Sequence, residues 1–446
     1  MFSPEFTMYL LHYFKPQEVI WMDSTVTISA LGALVGLILS IVLIFKKVPP
    51  FYALFIGALF GGLIGGANVV ETVGLMTAGA QGMVTAILRI LAAGVLAGIL
   101  IKSGAASSIA FTIIDKLGAK RALLALSLAT MALTAVGVFI DIAVITVAPI
   151  ALEIAKNAKY SRTAILVAMI GGGKAGNIMS PNPNAIAVSD AFQVPLTNVM
   201  LAGIIPAIFG IIVTFIIATK LINKGSAIKI EEVETSEDIA NLPSIGKSLV
   251  GPAVAIIILA LRPLFGIVID PMIALPLGGL VGIVALGHHK HAVEYIEYGL
   301  GKMTGVAIIL LGTGLIAGII SNSTLGDSLI SLIDMLGLPT FLLAPLSGIL
   351  MSAATASTTS GSAVASSVFG QTLLDSGVSA IGGAAMIQSG ATVLDHLPHG
   401  SFFHATGGSI NMAFKERLQI IPYESAIGLV LTIVSTIIFG LLGIGG

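Results

Sequence analysis

Apolar runs of about 20 residues recur along this chain, among them 26–45, 82–101, 198–219, 248–269 and 424–443. Each is long enough to cross a hydrocarbon core of about 30 Å. Lipid offers no partner to a peptide group, so such runs must satisfy their own backbones, as helices. Of 446 residues, 56% are hydrophobic and only 10% are charged, and the mean hydropathy is +1.05. A soluble domain carries roughly 25% charged residues. The expected fold is therefore an all-α polytopic membrane protein.

The chain also repeats itself. GVLAGILIKSG at 94–104 returns as GLIAGIISNST at 314–324, and IIDKLG at 113–118 as LIDMLG at 332–337. Pro50, Ala53, Leu54 and Gly57 match Pro271, Ala274, Leu275 and Gly278, while MIGGG with Pro181 matches MIQSG with Pro398. All these pairs sit about 220 residues apart, which divides the chain into a first repeat at 26–222 and a second at 248–446. Residues 223–247 are a polar linker carrying Glu231, Glu232, Glu234, Glu237 and Asp238. Residues 1–25, with Trp21, Tyr9 and Tyr13, read as an interfacial lead-in segment without the basic start and small-residue cleavage site of a signal peptide.

Basic residues orient the spans. Lys116, Lys120 and Arg121 precede the apolar stretch 122–155, and Lys156, Lys159 and Arg162 follow it. Both ends then face the cytoplasm, which makes the stretch a re-entrant hairpin. The matching stretch 341–374 is flanked by Asp327, Asp334 and Asp375, so its ends face outward. Each repeat thus holds about five crossings, one hairpin and one broken helix. An odd number of crossings inverts the second repeat and leaves both termini outside. Duplicated, inverted halves with interrupted helices are the sequence mark of a secondary transporter.

Polar residues collect at two places per repeat. In the first hairpin Asp141 stands alone in VGVFIDIAV; in the second, Thr358, Thr359, Ser360 and Ser362 stand in TASTTSGSAVASS, with Ser360 aligned to Asp141 at an offset of 219. Pro181 and Pro183 interrupt a helix bearing Lys174, Asn177, Ser180, Asn182 and Asn184. Pro398 and Gly400 interrupt another bearing Asp395, His396, His399, Ser401 and His404. Unwound points expose backbone groups, and half-helix starts present positive dipole ends, which together hold an anion without a cofactor. A carboxylate near mid-membrane costs at least about 2.5–3.5 kcal/mol, which marks Asp141 for function or for a core pair with Lys174. Asp395, His396 and His399 supply titratable groups near neutral pH.

Other chemistries find no support. The net charge of −1 shows no basic face for nucleic acid, and the absence of cysteine excludes disulfides and thiolate metal sites. No metal-ligand spacing, hydrolase triad, dinucleotide fingerprint or complete P-loop occurs. The chain is expected to be no enzyme and to need no cofactor beyond a coupling proton, with sodium as the other candidate.

At several of these segments the chain resembles the gluconate permease (GntP) family within the ion transporter superfamily. SGAASSIAFTIIDKLGAKRALLALSLA at 103–129 is similar to that family's SGA…A…LLD…G..RA…AL stretch. Phe139–Ile140–Asp141 stands at its FFDVGF, SPNPNA at 180–185 at its PPHPGP, and 388–403 at a pattern containing SH…FW. Two departures fall in the expected site: Asn182 replaces the family's His, and Pro398 and His399 replace its Asn-Asp. The resemblance implies a homodimeric inner-membrane symporter that couples protons to hydroxylated monocarboxylates such as gluconate. The expected partners are membrane lipid and a small organic anion, bound between the two hairpin tips and the two broken helices. A sodium-coupled di- or tricarboxylate transporter is the nearest alternative, and an anion channel a more distant one.

Overall fold

The computed structural model describes residues 26–118, 121–228 and 242–445, and these are all-helical. The lead-in segment 1–25 and the 229–241 portion of the linker lie outside the described residues. Among the described residues, eleven α-helices precede the linker. They are α1 (Ala30–Phe45), α2 (Pro50–Ile64), α3 (Val69–Gly82), α4 (Val84–Lys102), α5 (Ala105–Leu117), α6 (Ala122–Ala135), α7 (Ile140–Ala158), α8 (Arg162–Asn177), α9 (Pro183–Ala191), α10 (Leu196–Ala202) and α11 (Ile204–Lys220). Nine follow it: α12 (Ile245–Phe265), α13 (Pro271–Ala285), α14 (Ala292–Ser321), α15 (Leu325–Met335), α16 (Leu343–Thr355), α17 (Thr358–Asp375), α18 (Ala380–Gly390), α19 (Ser401–Gly408) and α20 (Phe414–Thr436). Among the described residues, five stretches are long and apolar enough to cross a membrane: Val69–Lys102, Leu196–Lys220, Ile245–Phe265, His289–Ser321 and Phe414–Leu441.

Helix boundaries follow local chemistry. Asn68 and Glu71 form a reciprocal capping box at the start of α3, with bonds of 3.0 and 2.8 Å. Ser161 caps α8, Ser379 caps α18, and Asp270 caps α13 with Pro271 in the first helical position.

The order of elements repeats across the linker. Helices α1 and α2 correspond to α12 and α13, α3 with α4 to the single rod α14, and α5 to α15. Further on, α6 to α9 correspond to α16 to α19, and α10 with α11 to α20. One framework forms from α1–α4 and α12–α14, in which α14 packs along α2, α3 and α4. Glycines set its closest crossings. A Cβ on Gly98 would lie 2.3 Å from the Tyr295 carbonyl, and one on Gly318 would lie 2.1 Å from the Leu75 carbonyl. Small residues let these helices approach backbone to backbone, the usual route to tight packing where lipid supplies no hydrophobic drive.

The second group of helices holds the polar clusters. Helices α6 and α7 form one hairpin and α16 and α17 the other, packed against α8 and α18 respectively. Every residue of α8 is buried. The halves then exchange: α9 packs on α17, and α19 packs on α7. Each interrupted helix thus delivers its second segment to the opposite hairpin.

Candidate functional site

Four chain breaks meet at one place. The first hairpin turns at residues 136–139, where Gly137 has φ +103°, and the second at 356–357, where Ala356 has φ +46°. The first tip is two residues longer than the second, so helix starts pair Ile140 with Thr358 and Asp141 with Thr359. The offset is 220 where the helices before the tips end, at Ala135 and Thr355, and 218 where those after them start, so the uniform 219 that pairs Asp141 with Ser360 is an average across the tip. Helix α8 ends at Asn177, and Pro183 restarts the chain as α9; α18 ends at Gly390, and α19 starts at Ser401. Gly400 lies against the second hairpin tip, where an added Cβ would sit 2.6 Å from Ala356 Cβ.

A cavity of about 430 Å³ opens between these breaks. Its lining contains the first residues of four helices: Ile140–Ile142 of α7, Pro183 and Asn184 of α9, Thr358–Ser360 of α17, and Ser401 and Phe402 of α19. The first N–H groups of a helix have no partner within it, and its dipole is positive there. Four such starts surround one space and favour an anion there through their dipoles, while Asp141 Oδ1 accepts the Ile142 N–H and Ser357 Oγ the Ser360 N–H. Asp141, Asn177, Asp395 and His399 complete the polar wall, and Lys302 of α14 stands on the framework side.

Behind the cavity runs a buried chain of charges. Lys174 Nζ lies 2.5 Å from Asp395 Oδ1 and 3.0 Å from His396 Nδ1, and it also donates to the Thr392 carbonyl. Thr358 Oγ1 donates to Asp395 Oδ2 at 2.5 Å, tying the second hairpin to this carboxylate. His396 Nδ1 is 3.6 Å from Glu424, which binds Arg417 Nη1 at 2.5 Å. Arg417 is 1% exposed, with its guanidinium 4.7 Å from the Phe403 ring centroid. Two cations and two carboxylates here compensate one another, as buried charges require.

Comparison with known proteins decides the family. The GntP family permease description matches residues 27–442. The chain belongs to the GntP permease family. An uncharacterized transporter of Haemophilus influenzae is 64% identical over 93% of this chain and 99% of that protein. The high-affinity gluconate transporter of Escherichia coli K12 is 22% identical, covering 91% of this chain and 97% of its own. The D-serine transporter DsdX of the same strain is 22% identical over 76% of this chain and 80% of its own. The crystal structure of the Alcanivorax borkumensis YdaH transporter is similar in fold, with TM-score 0.59, 14% identity and coverage of 83% of this chain and 87% of that one. As a GntP-family permease the protein is a multi-pass membrane transporter and not an enzyme.

In this permease the residues marked from sequence separate into four groups. Asp141, Asn177, Asn184, Thr358, Thr359, Ser360, Asp395, His399 and Ser401 line the cavity. Lys174 and His396 stand behind it in the ion chain, and Lys174 pairs with Asp395 rather than with Asp141. Ser180, Asn182 and Ser362 are buried away from it. Ser180 bonds the Asn177 carbonyl at 2.8 Å, and Asn182 bonds the Asn177 side chain at 2.8 Å and the first hairpin's Thr134 and Val138 carbonyls at 3.3 and 3.4 Å. Asn182 is thus a strut between the broken helix and the hairpin. His404 is exposed and donates to the Pro398 carbonyl at 2.8 Å. Sequence reasoning missed Lys302, Gln388 and Glu424. Lys302 stands on the cavity wall and Gln388 and Glu424 are buried away from it, and each is a polar residue inside an apolar helix that no local pattern marks.

Proposed function

We propose that this permease is a proton-coupled symporter of a small hydroxylated organic anion, of the sugar-acid or hydroxy-monocarboxylate type. The observation that carries the reading is the convergence of four helix N-termini on one cavity of about 430 Å³. Hydroxyl and amide groups of Asn177, Asn184, Thr359 and Ser360 share that wall, and they suit a substrate whose own hydroxyls would be costly to leave unpaired. The gluconate and D-serine named for its relatives are both small hydroxylated acids. Asp141 is the proton site: it lines the cavity, and among the described residues no cation lies within ion-pair distance of it. The Asp395–His396 pair with His399 is the secondary proton-binding group.

Access alternates as the hairpins and broken helices, an assembly drawn from two inverted repeats, move against the α1–α4 and α12–α14 framework in an elevator-like step. Lys46, Lys47, Lys156 and Lys159 mark the cytoplasmic side of the inner membrane, and both termini lie outside. The protein works as a homodimer.

Uptake of radiolabelled gluconate and 3-hydroxybutyrate into proteoliposomes tests the reading. An inward proton gradient should drive accumulation without sodium. Asp141→Asn should retain exchange of substrate across the membrane and lose accumulation. Uptake that needs sodium and ignores pH would overturn proton coupling, and non-saturating flux without accumulation would overturn symport itself.

A further inference from the structure

Among the described residues Lys302 is the lysine of the cavity wall; Lys174, which holds the lining residue Asp395, and Lys102, which shares the Tyr298 ring with Lys302, are both occupied. Lys174 is 0% exposed and held by Asp395, Thr392 and His396. Lys102 pairs with Glu294 at 3.2 Å. Lys302, four residues beyond Tyr298 on α14, lies 5.3 Å from the centroid of that ring and lines the cavity. Among the described residues it has no carboxylate within 4 Å. The carboxylate that faces it across the cavity is Asp141.

The placement is one-sided. Lys302 belongs to the framework, whereas the four helix starts belong to the hairpins and broken helices. At the repeat's offset of 220, Lys302 corresponds to Gly82. Gly82 lines a second cavity of about 410 Å³, between α3, α4, α9, α14 and α17, whose lining includes Asp190 and no lysine or arginine. The halves therefore match in backbone but differ in charge at this position.

We propose that Lys302 fixes the carboxylate of the transported anion, and that Asp141 competes with that carboxylate for Lys302 until a proton neutralises it. This rests on the organic-anion reading above. With Asp141 ionised, Lys302 already has its counter-charge, and a second carboxylate in the cavity meets repulsion. A proton taken up by an Asp141 carboxylate oxygen removes the competitor, and the substrate carboxylate becomes the anion facing Lys302. One proton then enters with each monocarboxylate, and the loaded cavity has the same net charge as the empty one. The other groups around the cavity are Asp395, neutralised by Lys174 and bonded by Thr358, and His399, whose Nε2 donates to the Ala354 carbonyl at 3.1 Å.

The test measures binding of gluconate, 3-hydroxybutyrate, glycerate and lactate to the purified full-length protein between pH 5.5 and 8. The wild type should bind more tightly as pH falls, by up to about tenfold per unit. Asp141→Asn should bind at the wild type's acid-limit affinity at every pH. Lys302→Gln should bind about thirtyfold more weakly at every pH, the loss expected for a charge-assisted contact. Lys302→Arg should recover most of that affinity, and thermal melting of all variants reports folding. Wild-type affinity in Lys302→Gln, or acid-strengthened binding in Asp141→Asn, would overturn this proposal while leaving the anion reading standing. Failure of the wild type to bind any of the four acids would overturn both. Should Lys302→Gln fail to fold, the pH profile of Asp141→Asn decides alone.

Discussion

The ammonium of Lys174 lies 2.5 Å from the carboxylate of Asp395, a residue 221 positions later in the chain, and neither side chain is more than 3% exposed. The pair joins the interrupted helix of one half to that of the other, and Thr358 extends it to the second hairpin. Taking one partner away strands a buried charge, which typically costs about 3–5 kcal/mol, whereas replacing both with apolar groups of similar volume is often near neutral. Lys174→Met and Asp395→Leu should therefore each lower the unfolding temperature in detergent sharply, and the double variant should recover most of the loss. Equal melting of the two singles and the wild type would show the pair to be energetically idle.

The glycine crossings give a second expectation. Gly98 faces the Tyr295 carbonyl on α14, and Gly318 faces the Leu75 carbonyl on α3; these two positions are matched by the repeat. A Cβ at either would sit within 2.3 Å of a carbonyl oxygen, so the backbones must separate. Gly98→Ala and Gly318→Ala should each destabilise the framework, by about 1–3 kcal/mol as overpacking does. Gly74→Ala, where a Cβ meets nothing within 4 Å, should not. Thermal unfolding of the three variants checks the contrast.

Much of this was legible in the sequence, because lipid narrows the choices so far. Polar residues that remain in apolar runs, as at Asn177, Asn184 and Thr358–Ser360, are costly there, so they mark the cavity wall. Proline marks the interruptions for the same reason: Pro183 opens α9 where α8 cannot continue. What stayed hidden depends on pairings between distant segments. Nothing near Lys174 points to Asp395 rather than Asp141 as its partner, and the exchange of α9 and α19 between hairpins decides that outcome. Lys302 was hidden differently. One lysine near the start of a long apolar rod reads as the end of a span, and only the approach of the opposite hairpins turns its position into a cavity wall.

A pH expectation comes from outside the spans. Asp270 caps α13 in a connecting segment and accepts hydrogen bonds from Arg89, at 2.6 Å from Nη2 and 3.1 Å from Nε, while Arg89 also binds Asp190 at the end of α9. The Arg89 hydrogen bonds hold the Asp270 carboxyl below the usual carboxylate range. A depressed acid contributes stability that is present above its unfolded value, near about 3.9, and is lost as pH falls through its lower folded value. The stability gap between wild type and Asp270→Asn should thus stay constant from pH 5.5 to 8 and close only in stronger acid. The gap itself should be small, because the pair is partly exposed. Melting curves across that range check it, and a gap that changed near neutrality would assign the titration to another group.

Asn184 tests how the cavity reads hydroxyl groups. Its Nδ2 donates to the Asn177 carbonyl at 3.3 Å and to Gln388 Oε1 at 3.2 Å, and Gln388 in turn donates to the Ile178 carbonyl at 2.6 Å. This chain of donors fixes the amide orientation, and Asn184 lines the cavity with its Oδ1 buried and without a protein partner. A substrate hydroxyl would satisfy it, and an acid lacking that hydroxyl would leave it unpaired, at a cost of about 1–3 kcal/mol. Removing the acceptor should therefore narrow discrimination more than it weakens binding of unsubstituted acids. Asn184→Ala should lower affinity for gluconate by about tenfold and leave that for hexanoate nearly unchanged. Competition binding with the two acids measures the ratio, and an equal loss for both would mean that Asn184 serves only to brace α9 against α18.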